Sequence, residues 1–384
     1  MSRTNNINLL IEKIENRLQR IANVLLLNAS FIDNPGLLNG KMGIAIFFYH
    51  YSRYTKNKIY EDYAGELVDE IYEEINTSTP VNFENGLTGI GWGIEYLVKN
   101  KFVQADTDEA LAEIDNSVYR NSLYRPFLLE SGNDLFGYGL YYITRLREHG
   151  NDDNNLNTLF KKQHLIYLID DCERILIQKK YLDFKIQLLS TDTINSFSWF
   201  LLKMNHWGIF PFKVEKLFHS LPEYFESHLQ NTNDPAGVEQ LIKLIESIIS
   251  CIRGIQPQDS YKAILNKRDG NRKVSEASDE ELVNNYIKEN WQNLIYEPYI
   301  PDCESNLGKA DQLFDIIDNE ENWYKRIDNL NKNNLGLTGL AGLGLGLLRP
   351  KLLTDDGRSA VESSGLRAQS REQEYKAKYT TTKK

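Results

Sequence analysis

Cysteine is scarce in this sequence. Three residues, Cys172, Cys251 and Cys303, are spread over 384 positions. An odd number at wide spacing excludes a disulfide framework and fits reduced thiols. With no Cys-x-x-Cys pair, buried inert thiols are the expected state. Proline is scarce too, at 10 residues, and together with abundant Leu, Ile, Glu and Lys this favours helices over a β-sandwich. No run of about 18 apolar residues occurs, which argues against a membrane span. Glu12, Lys13, Glu15 and Arg17 interrupt the stretch where a signal peptide would need unbroken apolar residues, so a cytoplasmic location is expected. Basic runs are missing as well. The net charge is −10, from 44 basic and 54 acidic residues. A phosphate-backbone partner needs a cationic surface, so nucleic acid is excluded, and the acidity argues mainly for solubility.

Helical periodicity, in contrast, is plentiful. Ile7, Leu10, Ile14, Leu18, Ile21 and Leu25 fall on one stripe and predict an amphipathic helix over 7–27. The turn signal Asp33-Asn34-Pro35-Gly36 follows. Residues 42–49 are apolar on every side, which predicts an enclosed helix. The next segment, 60–76, sets Tyr60, Tyr63, Ala64, Leu67, Val68, Ile71 and Ile75 on one face. Glu61, Asp62, Glu66, Asp69, Glu70 and Glu73 cover the other. An enclosed helix followed by a one-faced helix implies an inner and an outer layer.

This pair recurs. Gly86-Leu87-Thr88-Gly89-Ile90-Gly91-Trp92-Gly93 opens a second apolar helix, with an outer partner at 107–120. A third opens at Asp134 through Tyr142, followed by 156–178, and a weaker copy starts near Asn195. Helical patterns fill 212–229, 236–254, 279–296 and 310–328, while 256–275 reads as a polar loop. The last glycine run is Leu335 to Gly344. The early copies start about 50 residues apart, a period that signals a repeat architecture. Stacked openly, the apolar helices would be exposed at two ends, and closing them into a ring hides them all. The expected fold class is therefore all-α, an α/α toroid over residues 1–350. From about Pro350 the apolar periodicity stops, Ser359 to Lys384 carry almost no large apolar side chain, and residues 351–384 are expected to form a disordered tail.

Glycine at a helix start costs about 1 kcal/mol relative to alanine, so its repetition needs a cause. Two readings are open: a steric one, in which backbones approach closely, and a functional one, in which free helix N–H groups face a ligand. Gly36-Leu37-Leu38-Asn39-Gly40-Lys41-Met42-Gly43-Ile44-Ala45, Gly86-Leu87-Thr88-Gly89-Ile90-Gly91 and Gly339-Leu340-Ala341-Gly342 resemble the glycine signatures of the lanthionine synthetase C-like proteins. The resemblance covers most of 1–348. It implies a double ring of helices, shaped like the six-hairpin glycosidases, and, in authentic members, peptide cyclisation by a zinc ion on two cysteines and a histidine. Zinc lowers the pKa of a peptide thiol for addition to a dehydroamino acid.

The chain departs from the family at the zinc ligands. The family's Cys-His pair falls on Leu337 and Thr338, and no Trp-Cys-Tyr-Gly or Ala-His-Gly motif occurs. No metal or other cofactor is therefore expected. Candidate substrate-binding residues are Asn39, Asn82, Glu84, Trp92, Asp134, Tyr138, His206 and Thr338, placed on or beside the inner loops. For Glu84 and Asp134 a helix-capping role competes, and for the aromatics a core role. The first functional reading is a protein that binds or helps to modify a ribosomally made peptide, in company with a peptide-modifying enzyme. The alternatives are a carbohydrate-active enzyme with a carboxylate pair and a non-catalytic scaffold.

Overall fold

A computed structural model describes residues 3–124, 132–148, 156–177, 191–231, 278–296 and 319–352, with isolated positions from 242 to 264 and at 316. The first amphipathic stripe folds as α1 (Arg3–Asn28) and ends in a short 3-10 turn, Ala29–Phe31. Two hairpin pairs follow: α2 (Lys41–Thr55) with α3 (Lys58–Glu74), and α4 (Leu87–Lys99) with α5 (Thr107–Ala110) and α6 (Ala112–Tyr124). Next come α7 (Gly132–Glu148) with α8 (Leu156–Ile177), and α9 (Thr191–His206) with α10 (Pro211–Asn231). The described chain closes with α11 (Asp279–Tyr296), α12 (Glu320–Asp328) and α13 (Leu340–Leu352).

The two layers are plain in the burial. Every residue of α2 from Lys41 to Tyr49 is buried, as is every residue of α4 from Leu87 to Glu95. In α3 only Ala64, Leu67 and Ile71 are buried. Inner helices pack in sequence, α2 on α4, α4 on α7 and α7 on α9. The last helix, α13, returns to lie against α2, α1 and α11. Lys203 of α9 donates to the Ile295 carbonyl of α11 at 2.7 Å. The fold is thus an all-α, α/α toroid, and no strand occurs among the described residues.

Small-to-large packing joins neighbouring inner helices. Gly91 of α4 receives Tyr141 of α7, Gly139 of α7 receives Phe200 of α9, and Gly344 of α13 receives Phe47 of α2. In all three a Cβ on the glycine would stand 2.4 Å from the aromatic ring, far inside van der Waals contact. These glycines let enclosed helices approach closely enough to bury large aromatics between them.

Three expectations need correction. The outer partner at 107–120 is two helices hinged at the buried Leu111, and it runs on to Tyr124. The 310–328 pattern is not one helix, because Asn319 turns extended and caps a fresh start, its side chain accepting from Glu321 N at 2.9 Å. Segment 256–275 was expected as a loop, yet its described positions, 260 and 262–264, are helical. Ile264 there is buried, an apolar anchor that a charged composition conceals. Most of 236–254, and the expected tail beyond Leu352, lie outside the described residues, as do Cys251 and Cys303. Cys172 is buried in α8, and burial pushes its thiol pKa well up.

Candidate functional site

The outer helices and the inner ones start differently. Asn57, Asp106 and Asn319 cap α3, α5 and α12 with side-chain oxygens, the usual solution at an exposed helix start. The inner helices α2 and α4 begin on Gly40 and Gly86, with no side-chain cap. Their first N–H groups are taken by the preceding loop, which folds back over the helix. Lys41 N donates to Asn34 O at 2.9 Å, Leu87 N to Pro80 O at 2.9 Å and Leu340 N to Asn334 O at 3.0 Å. A Cβ at Gly40, Gly86 or Gly339 would stand 2.3, 2.0 or 1.7 Å from that same carbonyl oxygen. One turn on, Gly43, Gly89 and Gly342 meet the carbonyls of Leu37, Phe83 and Leu337 at 2.4, 2.0 and 1.9 Å. This resolves the two readings of the glycine motifs. The glycines are steric: they admit the loop carbonyls that satisfy these leading N–H groups, so those groups are not held open for a ligand.

The folded-back loops then bind one another. Leu38 N donates to Glu84 O at 2.8 Å, and Thr338 N to Leu38 O at 3.0 Å. Side chains continue the link across all three. The Thr338 hydroxyl donates to Asn39 Oδ1. Asn39 Nδ2 donates to Glu84 Oε1 at 2.6 Å and to Asn85 Oδ1 at 3.3 Å. Asn34 Nδ2 reaches the same Asn85 oxygen at 2.8 Å. Asn82 stays within its own loop, its side chain accepting from Asn85 N at 2.9 Å. All of these side chains are half-buried. The result is a rim of amides, one hydroxyl and one carboxylate at the mouth of the ring.

The other candidates are placed elsewhere. Trp92 is buried one turn into α4, stacked on Tyr96 with ring centroids 5.3 Å apart and edge-on to Phe83 at 6.1 Å. Tyr138 is buried in α7. The side chain of Asp134 lies outside the described residues. His206, expected on an inner loop, is the exposed last residue of α9 and sits edge-on to Trp207 at 4.9 Å. A helix of 16 residues rises roughly 24 Å, so His206 is at the far end of the inner layer from the rim. Asn34 and Asn85 were missed in the sequence. The Asn-Gly step at 85–86, which repeats the one at 39–40, would have found Asn85, whereas Asn34 precedes Pro35 and carries no such signal.

A family model for lanthionine synthetase C-like proteins matches residues 32–196, which hold the first three glycine motifs. Over these residues the chain is similar to the lanthionine synthetase C-like family. Neither the curated proteins nor the solved structures gave a match.

That family implies a zinc ion, and the rim allows its fit to be tested. The two positions expected to supply ligands hold Leu337 and Thr338. Leu337 is fully buried, its side chain packed against Gly43 of α2. The Thr338 hydroxyl is engaged by Asn39 and Leu38 O. No group of three His, Cys, Asp or Glu side chains suited to a metal occurs among the described residues. A buried methyl group and a hydrogen-bonded hydroxyl do not offer the thiolate and imidazole that zinc takes, so this donor set does not fit the ion.

Charged groups elsewhere are structural. Arg145, fully buried in α7, bonds Glu95 of α4 and donates to Asp108 and Asp115 at 2.8 Å each. Burial works against its charge, but the bond to Asp115 and the neighbouring carboxylates raise its pKa above the arginine range. Lys41, also buried, is held between Glu70 at 2.8 Å and Glu74. No helix among the described residues is long and apolar enough to cross a membrane.

Proposed function

We propose that this lanthionine synthetase C-like chain binds, or helps to modify, a ribosomally synthesised peptide at its rim, without zinc-dependent cyclase activity. The observation that carries the reading is the hydrogen-bonded string Thr338–Asn39–Glu84, which spans the last, first and second inner loops. It stands where the family's chemistry is expected and is built from groups that recognise peptide. Each carboxamide both donates and accepts, matching the N–H and C=O of a peptide backbone. In this reading the chain is cytoplasmic, residues 1–350 form the working domain, and a separate enzyme performs the dehydration.

The test uses a labelled synthetic peptide that contains dehydroalanine and cysteine. The purified protein binds it, leaves its thiol free, and after dialysis holds no stoichiometric zinc. Thioether closure changes no mass, so the thiol is counted by alkylation. Loss of the free thiol, or about one zinc per chain in the three-ligand pattern of a catalytic site, overturns the zinc-free part. Absence of binding overturns the peptide part.

A further inference from the structure

Beside the rim string, a cleft of about 420 Å³ opens between α11, α12 and the start of α13. This lies within the size range of pockets that hold small ligands or a few peptide residues. One wall is apolar, formed by Trp323, Leu330, Leu340 and Leu343, and Thr338 of the rim lines it too. Arg326 and Asn284 line it as well, together with Lys325, Asp279 and Glu280.

Arg326 differs from three other sheltered cations. Lys41, Arg145 and Arg17 are each paired to carboxylates. Arg326 is half-buried, and its Nη2 donates at 3.3 Å to the amide oxygen of Asn284. Among the described residues it has no ion pair. Burial pushes its pKa down, and the charge of Glu280 acts from beyond bonding distance in the other direction. Its charged neighbours are engaged locally: Lys325 pairs with Glu321 at 2.8 Å, and Asp279 accepts from Asn322 at 3.3 Å. A guanidinium carries five N–H donors in a fork that matches a carboxylate. Sheltering that charge without a carboxylate partner costs stability, a cost that a ligand's carboxylate would offset.

We infer that this cleft is a binding site for an acidic peptide, with Arg326 gripping an Asp, Glu or C-terminal carboxylate and the half-buried Leu330, beside Trp323, receiving the neighbouring apolar side chain. The site deepens the peptide reading of the rim and rests on it: Thr338 belongs to both, so a peptide held here runs directly onto the Asn39–Glu84 string. Glu280 stands at the cleft as a competitor for Arg326.

The experiment measures fluorescence anisotropy of two rhodamine-labelled peptides, one of Leu-Asp-Gly repeats and one of Leu-Asn-Gly repeats, titrated with the full chain. The Asp peptide binds about tenfold more tightly, the scale of a hydrogen bond to a charged group. Arg326→Gln removes that preference, Arg326→Lys retains part of it, and Glu280→Gln increases it. The melting temperature of Arg326→Gln does not fall, since the residue answers a ligand and not the fold. Equal binding of the two peptides overturns this inference and leaves the rim reading standing. An Asp preference that survives Arg326→Gln also overturns it. Failure of both peptides to bind removes the peptide reading and this site with it.

Discussion

Gly89 sits where a methyl group would stand 2.0 Å from the Phe83 carbonyl and 3.0 Å from Leu37 Cβ. The carbonyl belongs to the loop that folds back over α4, and Leu37 belongs to the loop before α2. Neither can retreat without breaking the inter-loop bonds. Gly89→Val is therefore expected to destabilise by roughly 1–3 kcal/mol or more through overpacking. Glu73→Ala on the exposed face of α3 is expected to stay within about 0.5 kcal/mol. Urea midpoints compare the two, and equal shifts would contradict the assigned layers. Glu70, which the polar face of α3 groups with Glu73 in sequence, is no such control, because it holds the buried ammonium of Lys41. The reason is tertiary: Lys41 is the first residue of an apolar inner helix, and its charge has to reach across to α3 for a partner.

The same division holds for whole elements. Period and composition mark α2 and α4 as enclosed and α1 and α3 as one-faced, since enclosure requires apolar residues at every position of the turn. The start of α11 at Asp279 also matches its pattern, while α12 keeps only the second half of its predicted span, because Asn319 caps a new helix within it. Nothing in a helical wheel reveals that Arg145, on an aromatic-rich stretch of α7, ties α4, α5 and α6 together through Glu95, Asp108 and Asp115. Replacing it tests that role. Arg145→Met leaves Glu95 buried beside an apolar group, and losing one partner of a buried ion pair costs about 3–5 kcal/mol. Denaturation in urea is expected to show a loss of that size with the helix signal of the native state retained. A loss under about 1 kcal/mol would mean that the network acts as a surface pair does.

Over the whole molecule, the ring needs its two ends to meet. Arg17 of α1, almost fully buried, donates to Glu320 of α12 at 3.0 Å and lies 5.1 Å over the Trp323 ring. Arg20 adds a second bond to Glu320 at 2.9 Å, and Lys332 reaches Asp33 at 2.7 Å. Arg17→Met removes both the ion pair and the cation–π contact, and is expected to lower stability by about 1–3 kcal/mol. Arg20→Met, at an exposed position, is expected to cost under about 1 kcal/mol. Thermal melts at matched salt rank the two, and the reverse order would place the closing contact elsewhere. The sequence by itself determined the helical class, the two layers, the repeat and the family resemblance, because those follow from local periodicity and from glycines that recur at one point of each unit. It also brought Asn39, Glu84 and Thr338 onto one list of candidates. Only the tertiary structure decided that these three bond in one string, that His206 stands at the opposite end, that the glycines serve loop carbonyls, and that Arg326 is sheltered with no ion pair among the described residues. Each of these depends on contacts between segments tens to hundreds of residues apart, such as residues 39 and 338. A pattern within one helix carries no information about which distant segment will meet it.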